Sequence, residues 1–413
     1  MDIQSHDGHS KTQAHTHEHA QGHSHAHAHG AHGKHGQVSR RDFFHQFFGG
    51  TLATASVLEA GFLRAAWARA QAPGATTTLF DIHKITDGVY FAQAHAQVLT
   101  NCNAAIFVNS QDVLVVDAHS KPSAAASLIA QIRKDVTPKP VRYLVNTHFH
   151  WDHTQGVAAY RAANPKLEII ASETTKQLLA KNARNVLKDS LNGIPQIIDG
   201  LQARIAKTPS LEEKEFYKEQ LRLVQAYQVE MKSFTPAVPD ITFAQSHVIK
   251  DPTHDLHIEF HGRAHTAGDV MVFCPQARTV ATGDVVVGFL PNIADGYPRE
   301  WPRTINSLGE LQAERILPGH GPFQPNHERM TQLRNYLEEL TEKVEAGKKA
   351  GKTLPELQKT ITLASLRAFQ ANGYGDFVTD NMKKYTVYLG NRTAVEDRFN
   401  TNIESIYNNL ERT

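Results

Sequence analysis

The most constraining feature of this chain is a dense cluster of histidines directly after a short apolar segment. Residues 141–145 form a β-branched and aromatic run, which predicts a buried strand. His148, His150, Asp152 and His153 follow at once, and alternation along an extended chain puts the first three on one side. Imidazoles and carboxylates are ligands for zinc and similar divalent metals, so the cluster predicts a metal site where a strand ends.

A chance cluster is the competing explanation, because the chain contains 25 histidines. Many of them lie in residues 1–37, among glycine, alanine, serine and glutamine, and this low-complexity tract is predicted to be disordered. The tract either binds zinc, nickel or copper weakly or has no role. The cluster at His148 differs because it ends a predicted strand and includes Asp152, which favours a metal site.

A second N-terminal feature resembles an export signal. Arg40 and Arg41 precede a moderately apolar stretch at residues 47–66, and small residues follow, which is typical of a twin-arginine signal. Cleavage would fall after Ala70 or Ala72. The resemblance implies that the twin-arginine machinery exports the folded protein to the periplasm. The alternative is an amphipathic helix of the mature chain.

Composition excludes several classes of protein. The formal net charge is +1, which argues against a general nucleic-acid binder and leaves a small-molecule substrate as the expected partner. No uninterrupted apolar run is long enough for a membrane span in the mature protein. Two cysteines, Cys102 and Cys274, are too few for a disulfide scaffold, and whether they pair stays open.

Strand and helix patterns alternate along the chain, which indicates an α/β protein. Residues 113–117 are predicted to form a strand, residues 120–134 a helix and residues 141–145 the next strand, and this order predicts a parallel pair. Other predicted strands are residues 79–85, 88–93, 104–109, 167–171, 241–249 and 256–261. Other predicted helices are residues 154–162, 328–349 and most of 379–410.

Residues 173–238 are helix-rich, with an expected break from Leu191 to Pro195. This segment is predicted to be a helical insertion near the rim of the metal site. Shaping substrate access and adding stability or a dimer face are equally open roles.

Four further segments, each at a predicted strand end, carry a resemblance to a known family. They are the strand that ends at Asp117, the segment HGRAHTAGD with His265 and Asp269, the segment VATGD with Asp284, and the segment LPGHG with His320. Together with the cluster at His148, they resemble the metallo-β-lactamase superfamily of metallohydrolases, over roughly Thr77 to Pro325.

The resemblance implies a four-layer αββα sandwich with a helical insertion and a helical C-terminal extension. The expected organisation is the histidine tract at 1–37, the export signal at 38–72, the metallo-β-lactamase-like domain at 77–345 with its insertion at about 173–238, and the extension at 346–413. The extension is expected to cover the sheet or to form a homodimer, and it shows no pattern that indicates chemistry.

The resemblance also implies a ligand set for two zinc ions, with iron or manganese as alternatives. The first metal would take His148, His150 and His265, the second would take Asp152, His153 and His320, and Asp284 would bridge them. Asp152 would also be the catalytic residue, because it would orient the hydroxide that bridges the metals. Asp117 and Asp269 are expected to be structural.

The bridging Asp284 also indicates the reaction class. Zinc β-lactamases carry a cysteine or serine in this part of the chain, whereas an aspartate is typical of relatives such as glyoxalase II-like thioesterases, lactonases, phosphodiesterases and sulfatases. The resemblance therefore implies an exported zinc hydrolase, with β-lactam cleavage as a side activity. Two alternatives stay open: an iron-dependent sulfur oxidoreductase of the same fold, and a non-catalytic metal-binding protein.

The loop at residues 288–303, after the bridging aspartate, is expected to border the substrate pocket. Its candidate substrate-binding residues are Asn292, Tyr297, Arg299 and Trp301, since aromatics line apolar pockets and arginine pairs with anions. The alternative is a well-packed, proline-rich loop without contact to substrate.

Overall fold

The structure is a computed structural model that describes residues 79–389 and 393–412. The predicted histidine tract at 1–37 and the predicted export signal at 38–72 lie outside the described residues. Cys102 and Cys274 are both buried and free.

The first sheet has seven strands in chain order. They are β1 Phe80–Thr86, β2 Val89–Ala94, β3 Ala104–Val108, β4 Val113–Val116, β5 Val141–Val145, β6 Glu168–Ser172 and β7 Ile241–Phe243. The first four strands are antiparallel neighbours, and β4 to β7 are parallel. Helix α1, Pro122–Gln131, with a π-helical turn at Ile132–Val136, connects β4 to β5. The predicted parallel crossover is therefore confirmed.

The second sheet has five strands in the order β12-β11-β10-β9-β8. They are β8 Ser246–Ile249, β9 Leu256–Glu259, β10 Met271–Cys274, β11 Thr279–Gly283 and β12 Arg315–Pro318. The prediction of one strand over residues 241–249 is wrong, because β7 pairs with β6 and β8 pairs with β9. The chain crosses from one sheet to the other inside this segment, and an apolar pattern does not reveal such a crossing.

Alternating side chains build the two cores on either side of the first sheet. In β4, Val113 and Val115 pack against the helices outside the sheet, whereas Leu114 and Val116 pack into the core between the two sheets. This separation follows from the two-residue period of a strand, and it explains why a run of four apolar residues is needed in a strand buried on both faces.

Short helices cover the outer face of the first sheet. Helix α1 and α3, Val157–Ala163, pack against this face, and the single turn α2, Trp151–Thr154, follows β5. Of the parts of the chain that the structure describes, no helix is long and apolar enough to cross a membrane.

The predicted insertion consists of two long helices, α4 at Glu173–Lys207 and α5 at Leu211–Met231. The expected break at residues 191–195 is wrong, because α4 continues through Pro195. Ile194 and Ile197 are buried against α5. Burial of each such side chain contributes about 1.5–3 kcal/mol, which offsets the roughly 3 kcal/mol that proline costs inside a helix.

The outer layer on the second sheet is built by the C-terminal half of the chain. Its helices are α6 Trp301–Leu308, α7 Glu328–Lys349, α8 Leu354–Thr360, α9 Arg367–Gln370, α10 Tyr374–Tyr385 and α11 Ala394–Asn409, with short 3-10 turns at Leu363–Ser365 and Ala371–Gly373. Phe273 and Val280 of the sheet pack in one cluster with Leu337 and Ile403 of these helices. The four-layer αββα arrangement with a helical C-terminal extension is thereby confirmed.

The carboxylate of Asp251 connects two loops at one end of the sandwich. The strand ends with the metal motifs lie at the opposite end. Asp251 accepts hydrogen bonds from the amide and hydroxyl of Ser110 at 3.0 and 2.7 Å and from the hydroxyl of Thr253 at 2.6 Å. Partial burial opposes the charge, but the hydrogen bonds from Thr253 and Ser110 lower the pKa of Asp251 to about 2. Ser110 follows β3 and Asp251 follows β8, so this contact connects the two sheets.

Candidate metal centre

The predicted ligand residues converge because most of them directly follow strands. The segment from His148 to His153 follows β5, Asp284 follows β11 and His320 follows β12. Since β11 and β12 are parallel neighbours with Gly283 opposite Pro318, their ends lie side by side. His265 reaches the same place from the loop between β9 and β10.

His148, His150 and His265 form the first group of potential ligands. One ligand atom of each lies within 4.8 Å of the others, and all three residues are buried. In this group, His265 Nε2 and His150 Nδ1 are 2.8 Å apart.

Asp152, His153 and His320 form the second group, which is also buried. Asp152 Oδ2 lies 3.0 Å from His320 Nε2. His153 Nε2 lies 3.3 Å from His320 Nε2. The six predicted donors therefore form two groups, and His148, His153 and Asp284 form a further group that links them.

Asp284 stands between the two groups. Its Oδ2 atom lies 3.5 Å from His265 Nε2 and 3.6 Å from His320 Nε2. Its Oδ1 atom lies 3.4 Å from His153 Nε2. A single carboxylate that reaches both sets is placed to bridge two cations.

Two features of the donor sets fit bound metal ions: the distances between donor atoms, and buried donor atoms that lack hydrogen-bond partners. A tetrahedral ion with ligands at about 2.0–2.1 Å requires neighbouring donors about 3.4 Å apart, which is near the separations around Asp284. His148 Nε2 and Asp284 Oδ1 are buried and have no hydrogen-bond partner. Buried polar atoms without partners are costly and uncommon, and cations among these donors would satisfy both.

The metal-free protonation states of His148, His265 and Asp284 suit metal ligation. Burial lowers the pKa of His148 well below its ordinary value and that of His265 to about 3, so both imidazoles are neutral. Burial opposes the charge on Asp284, yet the imidazoles of His320 and His153 hold the pKa of that carboxyl well below its usual range. Neutral imidazoles and an ionised carboxylate are the forms that bind metals. Burial opposes the charge on His150 and His153, but neighbouring acidic groups raise the pKa of both imidazoles, so these two must release a proton when they bind a metal.

Asp117 orients one side of the centre, as the sequence predicts for a bracing residue. It accepts hydrogen bonds from His153 Nδ1 at 2.8 Å and from the amide of Thr147 at 2.9 Å. Asp117 has a φ of 69°, a left-handed conformation that aspartate tolerates better than most residues. The contact leaves Nε2 of His153 as the ring atom directed at the centre.

Asp295 and Asn292 orient the other side. Asp295 Oδ2 lies 3.1 Å from His150 Nε2, and the backbone carbonyl of Asn292 accepts from His265 Nδ1 at 2.9 Å. Asp295 lies in the loop predicted to contact substrate, but no local motif in the sequence marks it as the partner of a ligand. Such outer partners fix which ring nitrogen faces a metal.

Gly319 explains why a glycine precedes the last histidine of the site. A Cβ atom at this position would lie 2.1 Å from Asp284 Oδ1, far inside any real contact. The backbone of the β12 end therefore approaches the bridging carboxylate so closely that no side chain fits.

The ligand residues open onto a cavity of about 110 Å³. Its floor contains His150, Asp152, His265, Asp284 and His320. Its walls are mainly apolar and come from three segments: Val98 and Thr100; residues 287–292; and the C-terminal residues Met382, Thr386, Val387, Tyr388, Ala394, Asp397, Arg398 and Thr401.

Only one of the four predicted substrate-binding residues lines the cavity. Asn292 lines the cavity, but Tyr297, Arg299 and Trp301 do not. Trp301 is fully buried and donates its indole N–H to the carbonyl of Val285 at 2.9 Å.

The two other residues point away as well. Arg299 forms a surface ion pair with Glu345 at 3.0 Å. The guanidinium of Arg263 lies 4.5 Å from the ring centroid of Tyr297. These three positions therefore lie outside the cavity, in contact with neighbouring protein groups.

The C-terminal extension contributes much of the cavity wall, a position that its sequence does not indicate. Tyr388 precedes α11 and Arg398 lies on it, and both line the cavity. No local pattern could have revealed this, because the extension is far from the metal motifs in sequence.

The insertion supports the wall from behind, and none of its residues lines the cavity. The side chain of Gln220, on α5, accepts from the amide of Val98 at 3.0 Å. Tyr227 donates to the side chain of Gln155 at 3.0 Å. Val98 lines the cavity, so the insertion holds one wall in position without direct contact to a ligand.

Comparison with known proteins extends these observations. The family model described as "Metallo-beta-lactamase superfamily" matches residues 98–320. A linear primary-alkylsulfatase from Pseudomonas sp. (strain ATCC 19151) is 24% identical over 236 residues, which is 54% of this chain and 42% of that protein. The match thus spans less than half of the relative's length.

Solved structures are similar at low identity. A metallo-β-lactamase from Pontibacter korlensis is 20% identical with a TM-score of 0.46, covering 63% of this chain and 99% of that one. The metallo-β-lactamase FIM-1 from Pseudomonas aeruginosa, in its mono-zinc form, is 21% identical with a TM-score of 0.43, covering 62% and 92%.

Proposed function

Because the chain belongs to the metallo-β-lactamase superfamily, we propose that it is an exported hydrolase that uses two zinc ions to cleave an ester, lactone, thioester or related bond. The observation that carries the proposal is the position of Asp284, whose two oxygens lie within 3.6 Å of donors from both ligand groups. A carboxylate placed to bridge two ions fits two-metal hydrolysis, whereas a carrier for one ion needs no bridge.

Two bound divalent ions would supply an activated water and would polarise the substrate oxygen. The chain's own residues would do the rest. Asp152 lines the cavity, so its carboxylate can accept a hydrogen bond from the attacking water and orient it. Val287 and Leu290 of the cavity wall would exclude bulk water from the reacting atoms.

The bond that is cleaved is the least constrained part of the proposal. Asp284 favours ester-like substrates over β-lactams as the main class. The distant alkylsulfatase relative adds sulfate esters to the candidates, with only 42% of that protein matched. A substrate panel should therefore include carboxylic, sulfuric and phosphoric esters, a lactone, a thioester and a β-lactam.

The test is hydrolysis of this panel by the zinc-loaded chain beginning at Gln71. We expect turnover of at least one ester class, and we expect Asp284→Asn to lower kcat/KM about 100-fold or more, because the bridging charge is lost. Asp87→Asn is the matched control, since the Asp87 side chain is 98% exposed.

Failure of the zinc-loaded chain to cleave any panel member would contradict the proposal. Retention of full activity by Asp284→Asn would contradict the assigned role of the bridge. Asp152→Asn should lower kcat more than it raises KM, because orientation of water acts in the transition state.

Export by the twin-arginine route is supported by the residue pattern at 38–72. The paired change Arg40→Lys and Arg41→Lys should leave the protein in the cytoplasm, since this machinery reads the arginine pair. The matched control is Arg64→Lys together with Arg69→Lys, which makes the same two exchanges after the pair and should be exported normally. Normal periplasmic levels of the Arg40 and Arg41 variant would contradict export by this route.

A further inference from the structure

Two polar atoms of the C-terminal extension remain unsatisfied at the cavity. Arg398 Nη1 and Tyr388 Oη are both buried, and neither has a hydrogen-bond partner among the described residues. Both residues line the cavity that contains Asp152 and Asp284. Buried donors without partners are costly, so two of them at one cavity indicate a missing acceptor.

The positive charge of Arg398 indicates that the missing acceptor is an anion. Burial lowers the pKa of Arg398 to about 10 against the electrostatic influence of Tyr336 and Asp284, so its guanidinium is still charged at neutral pH. Burial raises the pKa of its neighbour Asp397, and Asp397 makes no hydrogen bond with Nη1 of the guanidinium. The other carboxylates of the cavity, Asp152 and Asp284, are engaged with histidines and would be neutralised further by bound cations.

The rest of the wall indicates what the anion is attached to. Val287, Phe289, Leu290, Met382 and Val387 line the same cavity and present apolar side chains. A ligand that satisfies both parts of the wall carries an oxyanion on an apolar body. A guanidinium donates two parallel hydrogen bonds to sulfate, phosphate or carboxylate oxygens, so the shared chemistry is an oxyanion.

We propose that Arg398 and Tyr388 recognise the anionic group of an amphiphilic ester, so that the C-terminal extension selects the substrate. This inference rests on the proposed hydrolase function and names its substrate class. It assigns no step of bond cleavage to either residue, and both are therefore specificity residues.

Binding can be measured without turnover by using octanesulfonate, whose carbon–sulfur bond is not hydrolysed. Calorimetric titration of the zinc-loaded protein should show binding, with 1-octanol as the uncharged comparison. Arg398→Gln should weaken octanesulfonate binding about 10- to 100-fold, because a charge-assisted hydrogen bond is lost. Tyr388→Phe should weaken it about 5-fold through loss of one donor.

The variants carry their own controls. Arg398→Lys keeps the charge without the planar fork and should fall between the wild type and Arg398→Gln. Arg222→Gln removes the same charge from an exposed residue that pairs with Glu219 on α5, and it should bind octanesulfonate like the wild type. Thermal melting should show Arg398→Gln folded and no less stable, because a buried charge whose Nη1 lacks a hydrogen-bond partner is removed.

Kinetics then distinguish the sources of the oxyanion. The panel compares octyl sulfate, octyl phosphate and octyl hemisuccinate with neutral octyl acetate. Arg398→Gln should raise KM for the preferred anionic ester about 10-fold or more while leaving octyl acetate nearly unchanged. The ester with the largest change identifies whether sulfate, phosphate or carboxylate is recognised.

The outcomes separate the two proposals. Octanesulfonate binding that depends on Arg398, without turnover of any ester, would support anion recognition and contradict the hydrolase function. Turnover with equal losses for anionic and neutral esters in Arg398→Gln would overturn the inference. Equal weakening of octanesulfonate binding in Arg222→Gln would overturn it as well, since a general charge effect would then suffice.

Discussion

Asp117→Asn is the substitution that most directly tests how the protein orients its metal ligands. The aspartate accepts from His153 Nδ1 at 2.8 Å and from the Thr147 amide at 2.9 Å, and it is almost fully buried. Asparagine keeps the shape and tolerates the positive φ of 69° at this position, so the backbone should be retained. One acceptor oxygen becomes an amide that cannot accept from the imidazole.

The expected magnitude follows from the lost contact. Removal of an outer partner of a ligating histidine typically costs about 10- to 100-fold in metal affinity, which is about 1.4–2.8 kcal/mol. The larger loss should fall on the metal held by Asp152, His153 and His320, because Asp117 contacts His153 directly and reaches His148 only through the Thr147 hydroxyl.

Competitive titration of zinc against a chromophoric chelator measures both affinities in one experiment. The matched control is Asp112→Asn. Asp112 lies in the turn before β4, the strand that Asp117 follows, and its carboxylate accepts a hydrogen bond from the Asn109 side chain at 2.7 Å. Thermal melting of the metal-free proteins separates misfolding from weak binding. Two unchanged zinc affinities in a folded Asp117→Asn variant would refute the reasoning.

Three further predictions concern the bridge, the loop and acid stability. Gly319→Ala should lower zinc content and activity, because its Cβ would lie 2.1 Å from Asp284 Oδ1; normal zinc content in elemental analysis would contradict this steric argument. Arg299→Ala should change kcat/KM by less than about 2-fold on anionic and neutral esters alike, because Arg299 pairs with Glu345 outside the cavity. A selective loss on anionic esters would instead support the prediction that Arg299 binds substrate. Asp251→Asn should remove about 1 kcal/mol of stability at neutral pH after solvent screening. Folding lowers the pKa of Asp251 to about 2, so the ionised carboxylate stabilises the fold at pH values above its pKa in the unfolded chain. This contribution is lost as pH falls from about 4 to about 2. Urea unfolding at about pH 7 and about pH 2.5 checks this, and an equal difference from the wild type at both pH values would contradict it.

The metal motifs could be predicted from sequence because each is local. His148, Asp284 and His320 each follow a strand within a few residues, so the strand pattern and the ligand type together indicate the place. The four-layer arrangement follows from the same alternation of strands and helices.

The predictions that were wrong concern features set by contacts between distant parts of the chain. Whether α4 continues through Pro195 depends on packing against α5, and the separation of β7 from β8 depends on sheet pairing, so neither is encoded in a local pattern. Burial of Trp301 and the approach of Arg398 to the cavity are likewise set by contacts between distant segments.

Metal content tests most directly whether the protein holds a two-metal centre bridged by Asp284. Elemental analysis should be made on the chain beginning at Gln71, because the histidines of residues 1–37 would bind metal and distort the count. About two zinc ions per chain, falling on substitution of Asp284 by asparagine, is the predicted result. About one iron per chain with little zinc would contradict the zinc hydrolase and favour oxygen-dependent sulfur chemistry.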